Sequence, residues 1–302
     1  MPNTLAHIAV QGVANATWQP ARYLPWVLLG CILPDVPWIA SRAIRFVDPG
    51  IDVVALDLYN TVQATWLFST LLGIAFAAFA RRPVVVGALL AANVLLHLLV
   101  DAVEIKPGSG VHLLAPFSWQ SLSFDLVWPE HPLIGAATLL GVAAALVIIG
   151  AQHVRFRDEK LVFSARRIGV AIAALTAYLV LPLMLSGGPW DADYRSIRTL
   201  SLSEIFVGNP IELDRDPIVV RDGEAFVQVY GREFRLLIEQ ELEGGEIVSL
   251  VGHLAAPNAI RADDVHVNLS GLRNAASIVG LLAIAVVWIR LLATSLGRPD
   301  RS

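Results

Sequence analysis

The sequence of 302 residues is 56% hydrophobic and only 16% charged, with a mean hydropathy of +0.63, which excludes an ordinary soluble domain. Its net charge of −4 argues against nucleic acid as a partner, because a phosphate-binding surface needs clustered positive charge. The composition therefore predicts an integral membrane protein.

The first 47 residues predict a short helical hairpin. Thr4–Ala16 and Tyr23–Leu33 are apolar helix candidates, and the second ends at the proline-containing run Pro34–Pro37. At about 1.5 Å per residue each arm is shorter than the ~30 Å hydrocarbon core. A conventional span over Trp26–Val47 gives the same topology downstream and remains open as the alternative.

Five later segments have the length and apolar character of membrane spans. They are Thr61–Ala80, Pro83–Val103, Pro132–Gln152, Ile168–Ser186 and Asn274–Thr294. Together with the hairpin they predict a polytopic α-helical membrane protein of about seven membrane helices.

Basic clusters set the predicted orientation of these helices. The clusters are the pair Arg81-Arg82, the loop His153–Arg167 and the tail arginines Arg298 and Arg301. The positive-inside rule places all three in the cytoplasm of a bacterium. Val103–His131 and the long polar stretch 187–273 then face outward from the cytoplasmic (inner) membrane.

The outward stretch 187–273 predicts a small all-β domain. Runs rich in Val and Ile are separated by turn signals. The predicted strands are Pro217–Arg221, Ala225–Ile238, Glu246–Leu254 and Ala259–Asn268. The last two resemble the closing strands of an OB-type barrel, as in periplasmic haem-chaperone domains. The chain thus divides into a helical membrane domain (1–186), an extracytoplasmic OB-like β domain (187–273), and a final helix with its tail (274–302).

Two metal-capable side chains, His97 and Asp101, lie one helical turn apart in an otherwise apolar helix. Residues four apart share a helix face, so both can point at the same atom. The predicted topology brings His7, Asp35 and His112 to the same outward end. The alternative is a helix end at which His97 and Asp101 hydrogen-bond only to each other and to water.

Imidazole and carboxylate ligands suit zinc, manganese or iron, and a catalytic ion keeps an open position for water. Such an ion acidifies its water toward neutrality and needs no serine or cysteine nucleophile. The sequence predicts that His7, Asp35, His97 and His112 hold a divalent metal ion, with zinc as the first candidate. Asp101 completes the ligand shell or acts as the catalytic base.

Four short blocks resemble, in order and spacing, the motifs of the predicted membrane-bound metal-dependent hydrolases. They are Asn3–His7, Leu29–Asp35, His97–Asp101 and His112–Ser118. That family is similar in its His and Pro-Asp motifs to zinc-dependent phospholipase C, and the resemblance covers about the first 190 residues. It implies that His7, Asp35, His97 and Asp101 are metal ligands or their immediate neighbours.

One block departs from the family. Many members carry a His-Arg-x-x-Thr-His-Ser block after the Pro-Asp motif, whereas Asp57–Ser69 contains no histidine. This leaves a multinuclear site open to question: Asp57 substitutes as a ligand, or catalysis has been lost.

The sequence predicts a membrane-embedded metal-dependent hydrolase that acts at the outer side of the membrane. Its expected partner is a membrane lipid or a lipid-linked ester or phosphoester, because a site between helices is reached most readily from the membrane. The alternative is a non-enzymatic scaffold or assembly factor whose β domain binds an extracytoplasmic protein. A transporter is a third class, but helix interruption occurs only around Pro34 and Pro37.

Overall fold

The computed structural model describes residues 3–16, 21–150, 159–269 and 271–296. Eleven α-helices lie within these residues: α1 (Thr4–Ala16), α2 (Leu24–Gly30), α3 (Val36–Val47), α4 (Val53–Gln63), α5 (Trp66–Ala77), α6 (Pro83–Asp101), α7 (Pro132–Gly150), α8 (Ala165–Leu185), α9 (Gly187–Asp191), α10 (Ile197–Ser201) and α11 (Leu272–Leu296). Five strands follow α10: β1 (Pro210–Arg221), β2 (Glu224–Val229), β3 (Arg232–Leu237), β4 (Ile247–Ala256) and β5 (Ala259–Asn268).

Five stretches of the described chain are helical, apolar and long enough to cross a membrane. They are Leu24–Val47, Pro83–Asp101, Pro132–Gly150, Ala165–Asp191 and Arg273–Ser295. The apolar helix α5 is shorter, at 12 residues. Helices of membrane-spanning length and a separate strand domain therefore make up the structure, as the sequence predicted at this level.

The predicted span Thr61–Ala80 is not one continuous helix, because the chain breaks between α4 and α5. Thr65 is extended there, with φ −70° and ψ 162°. Its hydroxyl donates to the carbonyl of Val62, and the Ser69 hydroxyl donates to the carbonyl of Gln63. Hydroxyl groups that satisfy freed carbonyls allow a helix to end inside an apolar sequence, which hydropathy alone does not reveal.

The N-terminal segment has features of both alternatives. Leu24–Val47 is long enough for a span, yet its helix is interrupted between α2 and α3 by the 3₁₀ turn Leu33–Asp35. Pro34 and Pro37 lie at this interruption. The interruption places the Asp35 carboxylate beside the end of α6.

Helix α1 runs antiparallel to α6. The Asn15 side-chain amide donates to Asn93 Oδ1 at 2.9 Å, and His7 meets Asp101 eight residues away on both helices. Helix α1 also lies close to α7: a Cβ built at Gly141 would be 2.0 Å from the Leu5 carbonyl oxygen. Small residues permit such close approach between helices.

The five strands form a closed barrel in the order β1-β2-β3-β5-β4. All pairs are antiparallel except β3 with β5, which is parallel. The predicted single strand Ala225–Ile238 is wrong, because Tyr230 and Gly231, both with positive φ, turn the chain between β2 and β3. The barrel encloses its own apolar core, including Phe234 and Leu250.

The barrel packs on the loop that follows α6, and so lies at the His97–Asp101 end of the helices. His266 of β5 stacks on Trp128 with 3.7 Å between ring centroids, and its Nε2 lies 3.3 Å from Glu130. At the other end of α6, the Arg167 guanidinium donates to the carbonyl of Ala78. The predicted cytoplasmic arginines Arg155, Arg157, Arg298 and Arg301, and His153, lie outside the described residues.

Candidate metal centre

Three chain segments bring buried histidine and carboxylate groups together. His7 lies in the second turn of α1, His97 and Asp101 in the last turns of α6, and Asp35 at the end of the 3₁₀ turn. His7, His97 and Asp101 are at most 1% exposed. Ionised groups at this depth cost several kcal/mol unless they are paired or hold an ion.

The distances at this cluster suit ligands of one ion. His7 Nε2 lies 3.4 Å from Asp101 Oδ1, and His97 Nε2 lies 3.6 Å from Asp101 Oδ2. These contacts exceed the usual hydrogen-bond length. They match the ~3.4 Å edge expected of a tetrahedron with bonds of about 2.1 Å.

Among the described residues, His7, His97 and Asp101 form a group in which one ligand atom of each lies within 4.8 Å of the others. Asp35 stands beside this group, with Oδ1 3.7 Å from His97 Nε2. Two carboxylates therefore face the same histidine nitrogen.

A backbone contact fixes the orientation of the His97 ring. His97 Nδ1 lies 2.9 Å from the Cys31 carbonyl oxygen, so Nδ1 carries the proton and donates. When the ring is neutral, Nε2 then presents a lone pair to Asp35 and Asp101. This arrangement, with the far nitrogen held by a carbonyl, is how metal-binding histidines are usually oriented.

Several polar atoms of the cluster have no hydrogen-bond partner in the described part of the protein. They are both ring nitrogens of His7, His97 Nε2 and Asp101 Oδ1. Buried polar atoms are nearly always satisfied, and lone pairs that face carboxylate oxygens repel them. A shared cation between these atoms would remove both penalties.

The two imidazole rings are parallel, 3.8 Å apart at their centroids and inclined by 3°. Parallel rings direct their Nε2 lone pairs side by side. One ring must tilt for both nitrogens to reach a single ion.

The structure does not bring His112 or Asp57 into the group of three. The His112 ring contacts Trp119 and Tyr194 edge-on, and burial lowers its pKa to about 4. Asp57 pairs with Arg45. Both side chains line the cavity next to Asp101, so they are neighbours of the cluster.

A cavity of about 470 Å³ lies between the ends of the helices and the β barrel. Asp101, Pro34 and Leu98 are part of its wall, and the barrel contributes Gln228 and Tyr230. The cluster therefore has open space on the Asp101 side, where a water molecule or a substrate can approach.

Sequence reasoning missed three groups around the cluster and its cavity. The Cys31 carbonyl that orients His97 carries no side-chain signal. Lys106 lies shortly after the end of the apolar helix, and a charged residue at that position could have been recognised in the sequence as a candidate functional residue. Arg195 lies in the linker before the barrel, and only the folded chain places it above the helices.

Comparison of the chain with protein-family models, with curated proteins and with solved structures finds no match.

Proposed function

We propose that the chain is a membrane-embedded metal-dependent hydrolase whose divalent ion, with zinc as first candidate, is held by His7, His97 and Asp101. Asp35 stands next to His97 and either joins the ligands or orients them. The main support is a set of unsatisfied buried nitrogens that face two carboxylates at the spacing of metal ligands.

The chemistry follows from the ligand types. A divalent ion held by two imidazoles and a carboxylate would supply Lewis acidity and an acidic water. Asp101 faces both histidines and also lines the cavity. Its carboxylate can therefore bind the ion and also accept a proton from the water. Asp35, whose side chain is 15% exposed, is the second carboxylate that lies within reach of His97.

The side of the membrane follows from charge. Arg81, Arg82, Arg166 and Arg167 lie near the helix ends remote from Asp101. By the positive-inside rule this end is cytoplasmic, so the cluster and the barrel lie at the outer side of a bacterial inner membrane. About seven membrane helices fit this orientation if α1 with α2 forms a hairpin and α4 with α5 makes one crossing.

The substrate class follows from the position of the cavity. A lipid or a lipid-linked ester or phosphoester reaches a site at the helix ends from within the bilayer. The strand order, with β3 parallel to β5, supports the OB-type interpretation of the barrel. In this proposal the barrel covers the cavity and contributes part of its wall.

The resemblance to the membrane-bound hydrolase family is part of the proposal. Its first three blocks supply His7, Asp35, His97 and Asp101, and these four residues lie together. The missing histidine block remains a departure, because Asp57 is paired with Arg45 and not with the histidines.

The test is metal content of the full-length protein purified in neutral detergent. We expect about one ion per wild-type chain, none in His97→Ala, and the wild-type amount in His253→Ala. His253 is the matched control because it is half-exposed on β4, beside Asp263. A hydrolytic activity that is lost on chelation and restored by zinc would extend the result to catalysis.

Absence of metal from the wild-type protein would contradict the proposal. The non-enzymatic scaffold, with the barrel as binding domain, would then be the better description.

A further inference from the structure

The cavity above Asp101 is positively charged although the chain as a whole is acidic. Six Lys and Arg side chains line it, against four aspartates. His112 is neutral at pH 7 because burial lowers its pKa, and burial raises the pKa of Asp216 to about 6, nearer neutrality. A cavity with excess positive charge concentrates anions.

Lys106 is a buried cation in the wall of this cavity. It is 4% exposed and lines the cavity, yet its ammonium makes no hydrogen bond or ion pair within the part of the chain described. Its charge acts electrostatically on Asp101. A buried ammonium that has only this electrostatic partner and no direct one is costly, and an anion bound at this wall would offset that cost.

Arg195 lines the same cavity and lies on the linker that precedes the barrel. Its backbone is held in the left-handed region, at φ 53°, between Asp193 at 51° and Ser196 at 54°. Left-handed conformations in residues other than glycine are strained and are maintained only where surrounding contacts impose them.

The contacts that impose this conformation join three parts of the protein. The Arg195 amide donates to the Gly108 carbonyl at 3.0 Å, and the Tyr230 hydroxyl donates to the Arg195 carbonyl at 3.0 Å. The Gly108 amide in turn donates to Glu212 Oε2 at 2.6 Å. The loop after α6, the linker and the barrel are thus locked together at the residue that presents the guanidinium.

We infer that Lys106 and Arg195 form a subsite for a phosphate-type oxyanion above Asp101. An ammonium supplies a point charge and a guanidinium supplies a planar fork, which together match the oxygens of a phosphate. This inference rests on the proposed function for treating the ligand as substrate, and it selects phosphoesters over carboxylic esters. Binding of the anion itself does not require the metal.

The test is calorimetric titration of metal-free full-length protein in neutral detergent. The probes are inorganic phosphate, short-chain phosphatidic acid and, as the uncharged comparison, short-chain diacylglycerol. The variants are Lys106→Gln, which removes the positive charge, and Arg195→Lys, which keeps the charge but removes the planar guanidinium. Arg235→Gln is the matched control, because Arg235 lies on the exposed side of β3 beside Glu224.

We expect phosphate or phosphatidic acid to bind the wild-type protein and the Arg235→Gln variant with the same affinity. Each cavity variant should weaken binding by about 10- to 100-fold, as loss of a charge-assisted hydrogen bond does. Binding of both probes identifies phosphate itself as the recognised group, and binding of phosphatidic acid alone identifies a lipid headgroup. Absence of binding to both, or wild-type affinity in both cavity variants, would overturn the inference.

A second measurement separates a ligand-binding lysine from a structural one. Without ligand, Lys106→Gln should melt at the wild-type temperature or higher, since it removes a buried charge that has no direct hydrogen-bond or ion-pair partner in the described residues. A lower melting temperature would assign Lys106 to the scaffold and overturn the inference. His97→Ala should lose the metal and still bind phosphate, so each of the two proposals can fail while the other stands.

Discussion

The imidazole rings of His7 and His97 stack face to face, with 3.8 Å between ring centroids and an angle of 3° between the ring planes. Two imidazolium ions would repel each other at this distance, so a second positive charge on the pair is disfavoured. The Asp101 carboxylate spans both rings, with one oxygen toward each Nε2. Under the proposed function, this carboxylate would bridge the two histidines at one metal ion, as a ligand and not as a distant base.

This relationship predicts unequal effects at the two carboxylates. Asp101→Asn should abolish stoichiometric metal binding, because it removes the group that faces both histidines. Asp35→Asn should weaken metal binding by about 10- to 100-fold, as expected of a group that orients or assists a ligand. Equilibrium dialysis of the purified variants measures both. Equal losses would place Asp35 among the direct ligands, and a larger loss in Asp35→Asn would contradict the assignment.

A change in the packing of α1 against α7 at Gly141 should alter the position of His7 in the cluster. Gly141→Ala places a Cβ against the Leu5 carbonyl, two residues before His7, and should destabilise the protein by about 1–3 kcal/mol. Metal affinity should fall with it, because α1 must move away from α7. Gly135→Ala on the same helix is the control, since a Cβ there meets nothing within 4 Å. Thermal melts that drop equally for both variants would argue against this close contact.

The pH dependence of stability should contain a contribution from His112. Burial lowers its pKa to about 4, from an ordinary value near 6.5. Between these values the unfolded chain binds a proton that the folded protein excludes, so stability falls as the pH drops from about 6.5 to about 4. His112→Phe, which keeps an aromatic ring beside Trp119 and Tyr194, should remove this part of the loss.

The measurement is the change in melting temperature between pH 7.5 and pH 5, in the presence of a chelator. We expect a smaller change in His112→Phe than in wild type, and a wild-type change in His131→Gln, an exposed histidine. An undiminished change in His112→Phe would show that His112 is accessible to protons in the folded state.

The β barrel should fold without the helices. Its apolar core is closed by its own five strands, and β1 pairs with both β2 and β4. A fragment spanning residues 191–268 should give a strand-rich circular dichroism spectrum and a cooperative melt. A disordered spectrum would show that the contact of His266 with Trp128 and Glu130 is required for folding.

Periodicity and hydropathy predicted the features that depend on local sequence. The helices beginning at Pro83 and Pro132 start at the predicted residue, because a proline that lacks an N–H fits the first turn of a helix. The break at Thr65 was not predicted, since it depends on hydroxyl groups that satisfy carbonyls in the folded chain. The hairpin at Tyr230 and Gly231 was likewise hidden in a continuous strand-like run.

The candidate site was predictable where it depends on spacing along one helix, as for His97 and Asp101. The proximity of His7 and Asp35 required an argument about which helix ends face the same side. His112 illustrates the limit of that argument, because a shared depth did not bring its ring into the group. Lys106 and Arg195 both line a cavity that forms only when the barrel packs on the helices.

Zinc K-edge X-ray absorption of the purified, zinc-loaded protein tests the central claim most directly. We expect two imidazole ligands with Zn–N distances of about 2.0–2.1 Å and oxygen as the remaining ligands. We expect no sulfur ligand, although the carbonyl of Cys31 contacts His97. The imidazole signal should disappear in His97→Ala and persist in His253→Ala. A wild-type protein that binds no zinc, or binds it without imidazole ligands, would contradict the account.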